Sequence, residues 1–464
     1  METGLAGTGS TKNRLMSNPS VIVLGGGLSG MAVAFGLAEA GWSDITIVER
    51  GEELGGLAGT FEQNGHFYPL AYHHILHRDR GLLYFLDRLG VLPQVRWRRI
   101  GMLFHLDGQF YNLADPADFL RFPMTLRDKA HFVSLMLRAF RKSDWTDWQN
   151  YSAADLIDSW GGPGVRRAMF EKLCRLKFDL PAAEISGAWL GARLHFREGS
   201  APLGYVPGTN WTKLLCEGLA RLLEEAGVRI LRSSTVTRLD GTDRRIRGVE
   251  LLDGTRYEAD LYVSTLPTET YLDLAGTDTT PHLEPIRYTA VISAICATKQ
   301  QLPRDFYWLN LASLNQTASG IFKLDSLNPT IGAPDDSCLN LMSHVPSRHE
   351  ALYKKSDEEI TTAYLEDFHD VFGFELVPDW FRISRLPMYS PIFLRGYRNP
   401  PVQSTTWKNV YFAGNYRAHP SIATTGTALD SGLEAAHAIL VQSDQSSPVL
   451  GEAATYRLQS MPRG

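Results

Sequence analysis

Glycines at positions 25, 27 and 30, followed by an acid at Glu49, form a pattern with a definite chemical use. They sit in VIVLGGGLSGMAVAFGLAEAGWSDITIVER, which starts at Val21. Four apolar residues, Val21 to Leu24, read as a buried strand. The glycines then open a helix running to about Glu39, and Ile45 to Val48 read as a second strand ending at the acid. Gly25 permits a tight turn, Gly27 lets the backbone approach a pyrophosphate, and Gly30 lets helix and strand pack closely. The first helical turn, with Leu28 and Ser29, offers N–H groups and a partial positive charge to phosphates. Glu49, with Arg50 after it, can accept hydrogen bonds from ribose hydroxyls and would repel a 2′-phosphate. A lone glycine pattern is weak. Strand, helix, strand and acid in this order favour dinucleotide binding over a purely structural βαβ unit.

Three other groups could join that chemistry. Gly55–Gly56, followed by Leu57, lie a few residues past the acid and in isolation read as a flexible turn. Near the far end, KNVYFAGNYRAHPSIATTGTALDSGLEAAHAIL places a strand, Val410 to Ala413, before Gly414–Asn415, then a loop and a helix from about Thr427. Between them, GHFYPLAYHHILHRDRGLLYFLDRLG crowds His73, His74 and His77 into five residues. No matching Asp, Glu or Cys set accompanies these histidines, so no metal site is expected. Contact with a cofactor or substrate, or a structural role, are the two readings left for them.

Together these motifs resemble the flavin-dependent amine oxidase, protoporphyrinogen oxidase and phytoene desaturase superfamily. The resemblance implies an α/β fold: a Rossmann-like FAD-binding domain of the glutathione-reductase type, a mixed-sheet substrate domain and a helical insertion. It implies FAD, held without a covalent bond, since no cysteine lies in the histidine segment or the C-terminal block. Gly55 and Gly56 would continue the pyrophosphate site. Leu57 stands where amine oxidases usually carry Arg, as in the desaturase-like and protoporphyrinogen-oxidase-like branches. Val236 matches the residue that meets the adenine edge through its backbone. Asn415 replaces the usual acid and can donate or accept hydrogen bonds. Thr425, Gly426 and Thr427 would bring backbone N–H groups to the isoalloxazine N1–C2=O edge. His73 and His74 would lie near the flavin, although Pro69 and Ala71 stand where relatives carry an acid and a glycine.

Positioning such residues requires elements spread along the chain. The expected division is a disordered leader (1–19), a first part of the FAD-binding domain (20–110) and a helical region facing substrate or membrane (111–204). A second FAD-binding part (205–284), a substrate domain (285–404), a C-terminal FAD-binding part (405–442) and a flexible tail (443–464) follow. A hairpin is expected at Asp107–Gly108. Strands are expected over Ile286–Cys296, Phe306–Ala312 and Ser337–Val345, with a helix near Asp357–Phe372. Trp308, Asn310, Asn340, Tyr389 and Tyr397 are pocket candidates, core packing being the ordinary role for such residues. Within 119–142, Arg121, Arg127, Lys129, Arg138, Arg141 and Lys142 interleave with Phe and Leu against one acid, Asp128. Peripheral contact with an anionic membrane is one reading of that stretch, and a core-packing helix with solvated charges is the other.

Composition bounds the function. The 464 residues carry 46 basic and 51 acidic side chains, a net charge of −5, which argues against a nucleic-acid partner. The four cysteines form no CxxC pair, which suits a reducing compartment. No apolar run approaches the ~18 residues of a membrane span, so a cytoplasmic protein, membrane-associated at most, is expected.

Flavin chemistry would leave the protein to hold a fairly hydrophobic small molecule for hydride transfer to flavin N5. Many amine oxidases place a lysine beside N5; alignment puts Ser293 there, with Lys299 further along, reading as a solvated strand-end residue. The candidate catalytic positions are therefore His73, His74, Ser293 and Tyr397. A redox-neutral flavoenzyme of the nucleotide-sugar mutase or isomerase type is the alternative, for which Arg382, Arg385, Arg395 and Arg398 should converge. A non-catalytic binding protein of the Rab-escort and GDP-dissociation-inhibitor type is the third reading.

Overall fold

The computed structural model describes residues 18–196, 202–283, 286–311 and 316–456. The expected leader falls largely outside them. Val21–Leu24 forms a fully buried strand, as its four apolar residues require in a sheet covered on both faces. Helix Leu28–Glu39 follows, and strand Ile45–Val48 returns parallel to the first. The sheet has five parallel strands in the spatial order Arg229–Leu231, Ile45–Val48, Val21–Leu24, Leu261–Ser264 and Val410–Phe412. Strands from both ends of the chain are thereby neighbours of the strand Leu261–Ser264. A three-stranded antiparallel sheet, Val236–Thr242, Arg245–Leu251 and Arg256–Tyr257, covers one face.

A second sheet has seven strands, in the order Trp380–Ile392, Arg287–Thr298, Ser337–Val345, Gly320–Lys323, Trp308–Leu311, Met102–Leu106 and Gln109–Tyr111. Asp107 and Gly108 turn its last hairpin with φ of 52° and 72°, the left-handed pair of a tight hairpin turn. That hairpin corrects the expected boundary at 110. Met102–Leu106 pairs in parallel with Trp308–Leu311, so it belongs to the substrate sheet, a pairing across some two hundred residues that no local pattern announces.

Helices lie over both sheets. Residues 116–196 supply a mostly helical layer that includes Leu126–Arg141, Ala153–Trp160, Glu171–Phe178 and Gly187–Phe196. Its aromatic and aliphatic side chains share one core with the seven-stranded sheet. The other face of that sheet packs on helix Asp357–Phe372 through Ile360, Tyr364 and Phe368. Within the stretch expected to be a flexible tail, residues 448–455 form a helix. Helix Pro448–Thr455 buries Val449 and Ala453 beside helix Arg80–Arg88, and the Arg80 guanidinium donates to the Ala454 carbonyl at 3.0 Å.

Candidate functional site

The two glycine motifs meet backbone to backbone. Gly25 has φ of +100°, Gly55 +120° and Gly56 +57°, conformations that side chains resist. Gly27 and Gly55 form a parallel bridge, and the Gly55 N–H donates to the Gly26 carbonyl at 2.9 Å. A Cβ on Gly30 would lie 2.0 Å from the Gly25 carbonyl oxygen, whereas a Cβ on Gly27 would meet no protein atom within 4 Å. Gly30 thus closes the turn, and Gly27 faces a cradle that a side chain would fill. The first-turn N–H groups of helix Leu28–Glu39 have no partner within the helix, by construction of any helix start. An anionic diphosphate suits this donor set.

Glu49 braces that turn as well as facing it. Its carboxylate accepts from the Gly26 N–H at 2.7 Å and from the Gly51 N–H at 2.8 Å. Four acceptor sites on a carboxylate leave capacity for a ribose hydroxyl beside these two bonds. The Ser234 N–H donates to the Glu49 carbonyl at 2.8 Å, which carries the chain into Val236 next to the acid. Arg50 is exposed. Leu57 sits in a short helical turn, Gly56–Ala58, and packs toward the substrate-side core.

The two ends of the chain lock together here. Ser29 Oγ donates to the Ala428 carbonyl at 2.8 Å, 399 residues away. Helix Leu28–Glu39 lies tightly on helix Thr425–Gln442, where a Cβ on Gly432 would fall 2.3 Å from the Ser29 carbonyl oxygen. The Gly414 N–H donates to Ser431 Oγ at 2.9 Å, which anchors the turn that presents Asn415. The Asn415 side chain makes no hydrogen bond to a described residue.

Asp79 is a site residue that sequence reasoning missed. Its carboxylate accepts from the Gly426 N–H at 3.2 Å and from Thr424 Oγ1 at 3.1 Å. The Thr427 N–H goes to Thr424 Oγ1 at 3.1 Å within a capping box. Of the three backbone donors expected to face a flavin, Gly426 and Thr427 are therefore engaged inside the protein, which corrects that expectation. Thr425 alone of the three makes no bond to a described residue through its N–H. Burial pushes the Asp79 carboxyl up to about 6, against the pull of its hydrogen bonds. Burial, and then the charge of Asp79, push Asp430 up to about 7. The signal for Asp79 was its place just before helix Arg80–Arg88, an N-cap position.

The histidines divide. His73 Nδ1 lies 2.8 Å from the Ala71 carbonyl, which can only accept, so Nδ1 carries the proton and Nε2 a lone pair. Burial pulls its pKa down to about 4, which keeps the ring neutral. His74 Nδ1 lies 3.2 Å from the Tyr307 hydroxyl. No group of three metal-ligating side chains occurs among the described residues. The same segment is pinned to the substrate sheet: the Tyr72 N–H donates to Asn340 Oδ1 at 3.1 Å, and Asn340 Nδ2 donates to Ser293 Oγ at 2.7 Å. The Tyr72 ring stacks on Phe322 at 3.6 Å.

Beyond Tyr72 opens a cavity of about 250 Å³ between the helical layer and the seven-stranded sheet. Phe132, Met169, Phe170, Trp189 and Trp308 give it an apolar wall, and Asn310, Ser319 and His344 add polar atoms. The glycine cradle is not part of it. Segment Tyr72–His74 joins the two regions, with Tyr72 on the cavity and the His73 ring 6.4 Å from Trp211, in the core under the glycine motifs.

The sequence pattern of the flavin containing amine oxidoreductases matches residues 28–440. The chain belongs to that family. Its members carry flavin, and this protein is a flavin-dependent oxidoreductase. It is 21% identical to the 15-cis-phytoene desaturase of Oncidium hybrid cultivar, over 92% of this chain and 78% of that one. The figures for the Solanum lycopersicum desaturase are 21%, 90% and 77%. A crystal structure from Exiguobacterium sp. 255-15, assigned as a protoporphyrinogen oxidase, aligns with a TM-score of 0.75 at 19% identity, over 92% of this chain and 100% of that one. Reduced UDP-galactopyranose mutase gives 0.71 at 15%, over 95% and 99%. Putrescine oxidase with putrescine bound gives 0.68 at 16%, over 91% and 99%. At these identities the structures share the fold.

Within this flavoenzyme the remaining candidates have definite places. Ser293 is fully buried, and it reaches the histidine segment only through Asn340. The Tyr397 hydroxyl donates to the Tyr416 carbonyl at 2.6 Å and so steadies the Gly414–Asn415 turn. Lys299 is exposed and paired with Asp336. The four arginines do not converge. Arg382 lies over Phe61, Arg385 pairs with Asp357, and Arg395 and Arg398 bond Asn150.

Proposed function

We propose that this flavoenzyme binds FAD without a covalent bond and dehydrogenates or oxidises a fairly hydrophobic small molecule. The observation that carries this reading is the apolar cavity beyond Tyr72, walled by aromatic rings and linked by the chain segment Tyr72–His74 to the region of the glycine cradle. Gly25, Gly27, Gly30, Gly55 and Gly56 would hold the pyrophosphate, Glu49 the ribose, and Gly414, Asn415 and Thr425 the flavin end. Bound FAD supplies a two-electron acceptor for a hydride. The chain's own part is to exclude water with the aromatic wall, to orient the substrate, and to keep the buried His73 imidazole neutral between the cavity and the glycine motifs. Burial pushes the thiols of Cys174, Cys216 and Cys338 up to about 12, which leaves them protonated and supports a non-covalent flavin. The dispersal of Arg382, Arg385, Arg395 and Arg398 weighs against a sugar-diphosphate mutase.

Anaerobic mixing of the FAD-loaded protein with a panel of apolar substrates tests the reading. Stoichiometric bleaching of the visible flavin band by one of them is expected. Turnover that requires prior reduction of the flavin and consumes no electrons would overturn it in favour of a rearrangement.

The stretch 117–142 supports peripheral contact with an anionic membrane. Among the described residues, five of the nine exposed large hydrophobics lie there: Leu120, Leu126, Val133, Leu137 and Phe140. Arg127, Arg138 and Arg141 are exposed beside them. Lys129, counted with that basic surface from sequence, is buried, because its ammonium donates to the Leu120 carbonyl at 2.6 Å. The opposite face of helix Leu126–Arg141 lines the cavity through Phe132 and Met136, so one helix serves as outer docking face and inner wall. Basic residues around an apolar stripe complement anionic headgroups.

A further inference from the structure

The apolar cavity is basic at one wall. Lys177, from helix Glu171–Phe178, and Arg193, from helix Gly187–Phe196, both line it, and both are only partly exposed. Each is held against aromatic rings: the Lys177 ammonium lies 5.7 Å from the Trp189 centroid and the Arg193 guanidinium 5.9 Å from that of Trp308. Other arginines of the same helical layer have carboxylate partners, Arg166 with Asp158 and Glu171, and Arg175 with Glu171. Arg193 pairs with no carboxylate among the described residues. His344 and Ser319 share this wall, their Nδ1 and Oγ 2.9 Å apart. The serine hydroxyl donates to the Met342 carbonyl at 3.0 Å, so it accepts from Nδ1. Burial, then the charges of Lys177 and Arg193, pull His344 down to about 3, which keeps it neutral. A guanidinium held against an apolar wall with no carboxylate beside it is costly, and an anion at Arg193 relieves the cost.

We propose that Arg193, with Lys177 beside it, seats a single acidic group of the substrate, a carboxylate or a phosphate ester, while the aromatic cavity takes the apolar body. The substrate class is thus an amphiphilic acid rather than a neutral hydrocarbon or an amine. This rests on the reading of the cavity as the substrate site. A guanidinium forms a two-pronged, charge-assisted pair with either acid. Such a bond contributes about 1.5–3 kcal/mol, or roughly 10- to 150-fold in affinity.

The test uses the flavin-loaded protein and three probes of equal chain length, dodecanoate, dodecyl phosphate and dodecanol, followed by tryptophan emission, which Trp189 and Trp308 should report. One or both acids should bind at least about tenfold tighter than the alcohol, the tighter acid identifying the natural group. Arg193→Gln should abolish the preference while leaving dodecanol binding unchanged, and Arg193→Lys should keep part of it. Retained flavin absorbance shows that each variant is folded. Equal binding of acid and alcohol by the unmodified protein would overturn the proposal, as would a preference that survives Arg193→Gln. Failure of the underlying reading looks different: none of the three probes would change the emission.

Discussion

Gly27 and Gly30 share one turn, yet the backbone requires them for opposite reasons. A side chain at 30 collides with the Gly25 carbonyl, whereas one at 27 enters open space. Gly27→Val should therefore fold with a melting temperature close to that of the parent and emerge without flavin. Gly30→Ala should lose several kcal/mol of stability, as overpacking against backbone does. Paired thermal melts and visible spectra separate the two; a Gly27→Val protein that keeps its flavin would remove the pyrophosphate role. Asn340 makes a second residue-scale case, since it holds Tyr72 to Ser293 across the sheet. Asn340→Ala should cost about 1–3 kcal/mol, because it takes the acceptor from the Tyr72 N–H and the donor from Ser293 Oγ. An unshifted urea midpoint would show that the histidine segment does not depend on that clamp. The glycines were legible in sequence because each acts through its local backbone. Asn340 appeared there only as one pocket candidate among several, and Arg193 not at all, because their roles depend on partners distant in sequence.

At the scale of elements, helices Arg80–Arg88 and Thr425–Gln442 meet through crossed carboxylates. Asp79 lies at Gly426, while Asp430 lies where a Cβ on Gly81 would stand, 2.0 Å from its Oδ1. In the unfolded chain both acids titrate in the ordinary carboxyl range, but in the folded protein at about 6 and about 7. Between about pH 4 and 7 the folded state then binds more protons, so this pair's contribution to stability falls as pH rises through that window. Asp430→Asn should flatten that dependence and raise stability at pH 8 by about 1–2 kcal/mol. Melting curves across the range check it, and a variant no more stable than the parent at pH 8 would refute the cause. Helix Leu126–Arg141 carries the second prediction at this scale. Leu137→Glu with Phe140→Glu should abolish co-sedimentation with phosphatidylserine vesicles but leave flavin content intact. Equal binding to neutral phosphatidylcholine vesicles would deny the electrostatic part. Periodicity revealed the helix itself. Which of its two apolar stripes faces outward depends on where the sheet lies, and that required the fold.

The whole molecule places a nucleotide-type parallel sheet and an apolar chamber on either side of one segment, Tyr72–His74. Every strand of the parallel sheet is local in pattern, and three of the five, Val21–Leu24, Ile45–Val48 and Val410–Phe412, were expected within a residue. The seven-stranded sheet was less legible, because its hairpin Met102–Tyr111 joins strands two hundred residues later. The terminal helix went unseen because Val449 and Ala453 gain their meaning only against helix Arg80–Arg88. The chamber was legible only at Trp308 and Asn310, two of the pocket candidates that line it, since it is a gap between layers whose lining comes from eight or more separate stretches. At this scale the central claim is that both ends of the chain build one FAD site. The most direct test is the visible absorption spectrum of the purified protein after incubation with FAD and removal of the excess. The account predicts a flavin band at close to one FAD per chain, released by denaturation in unmodified form. A colourless protein, or flavin that stays attached to the denatured chain, would contradict it.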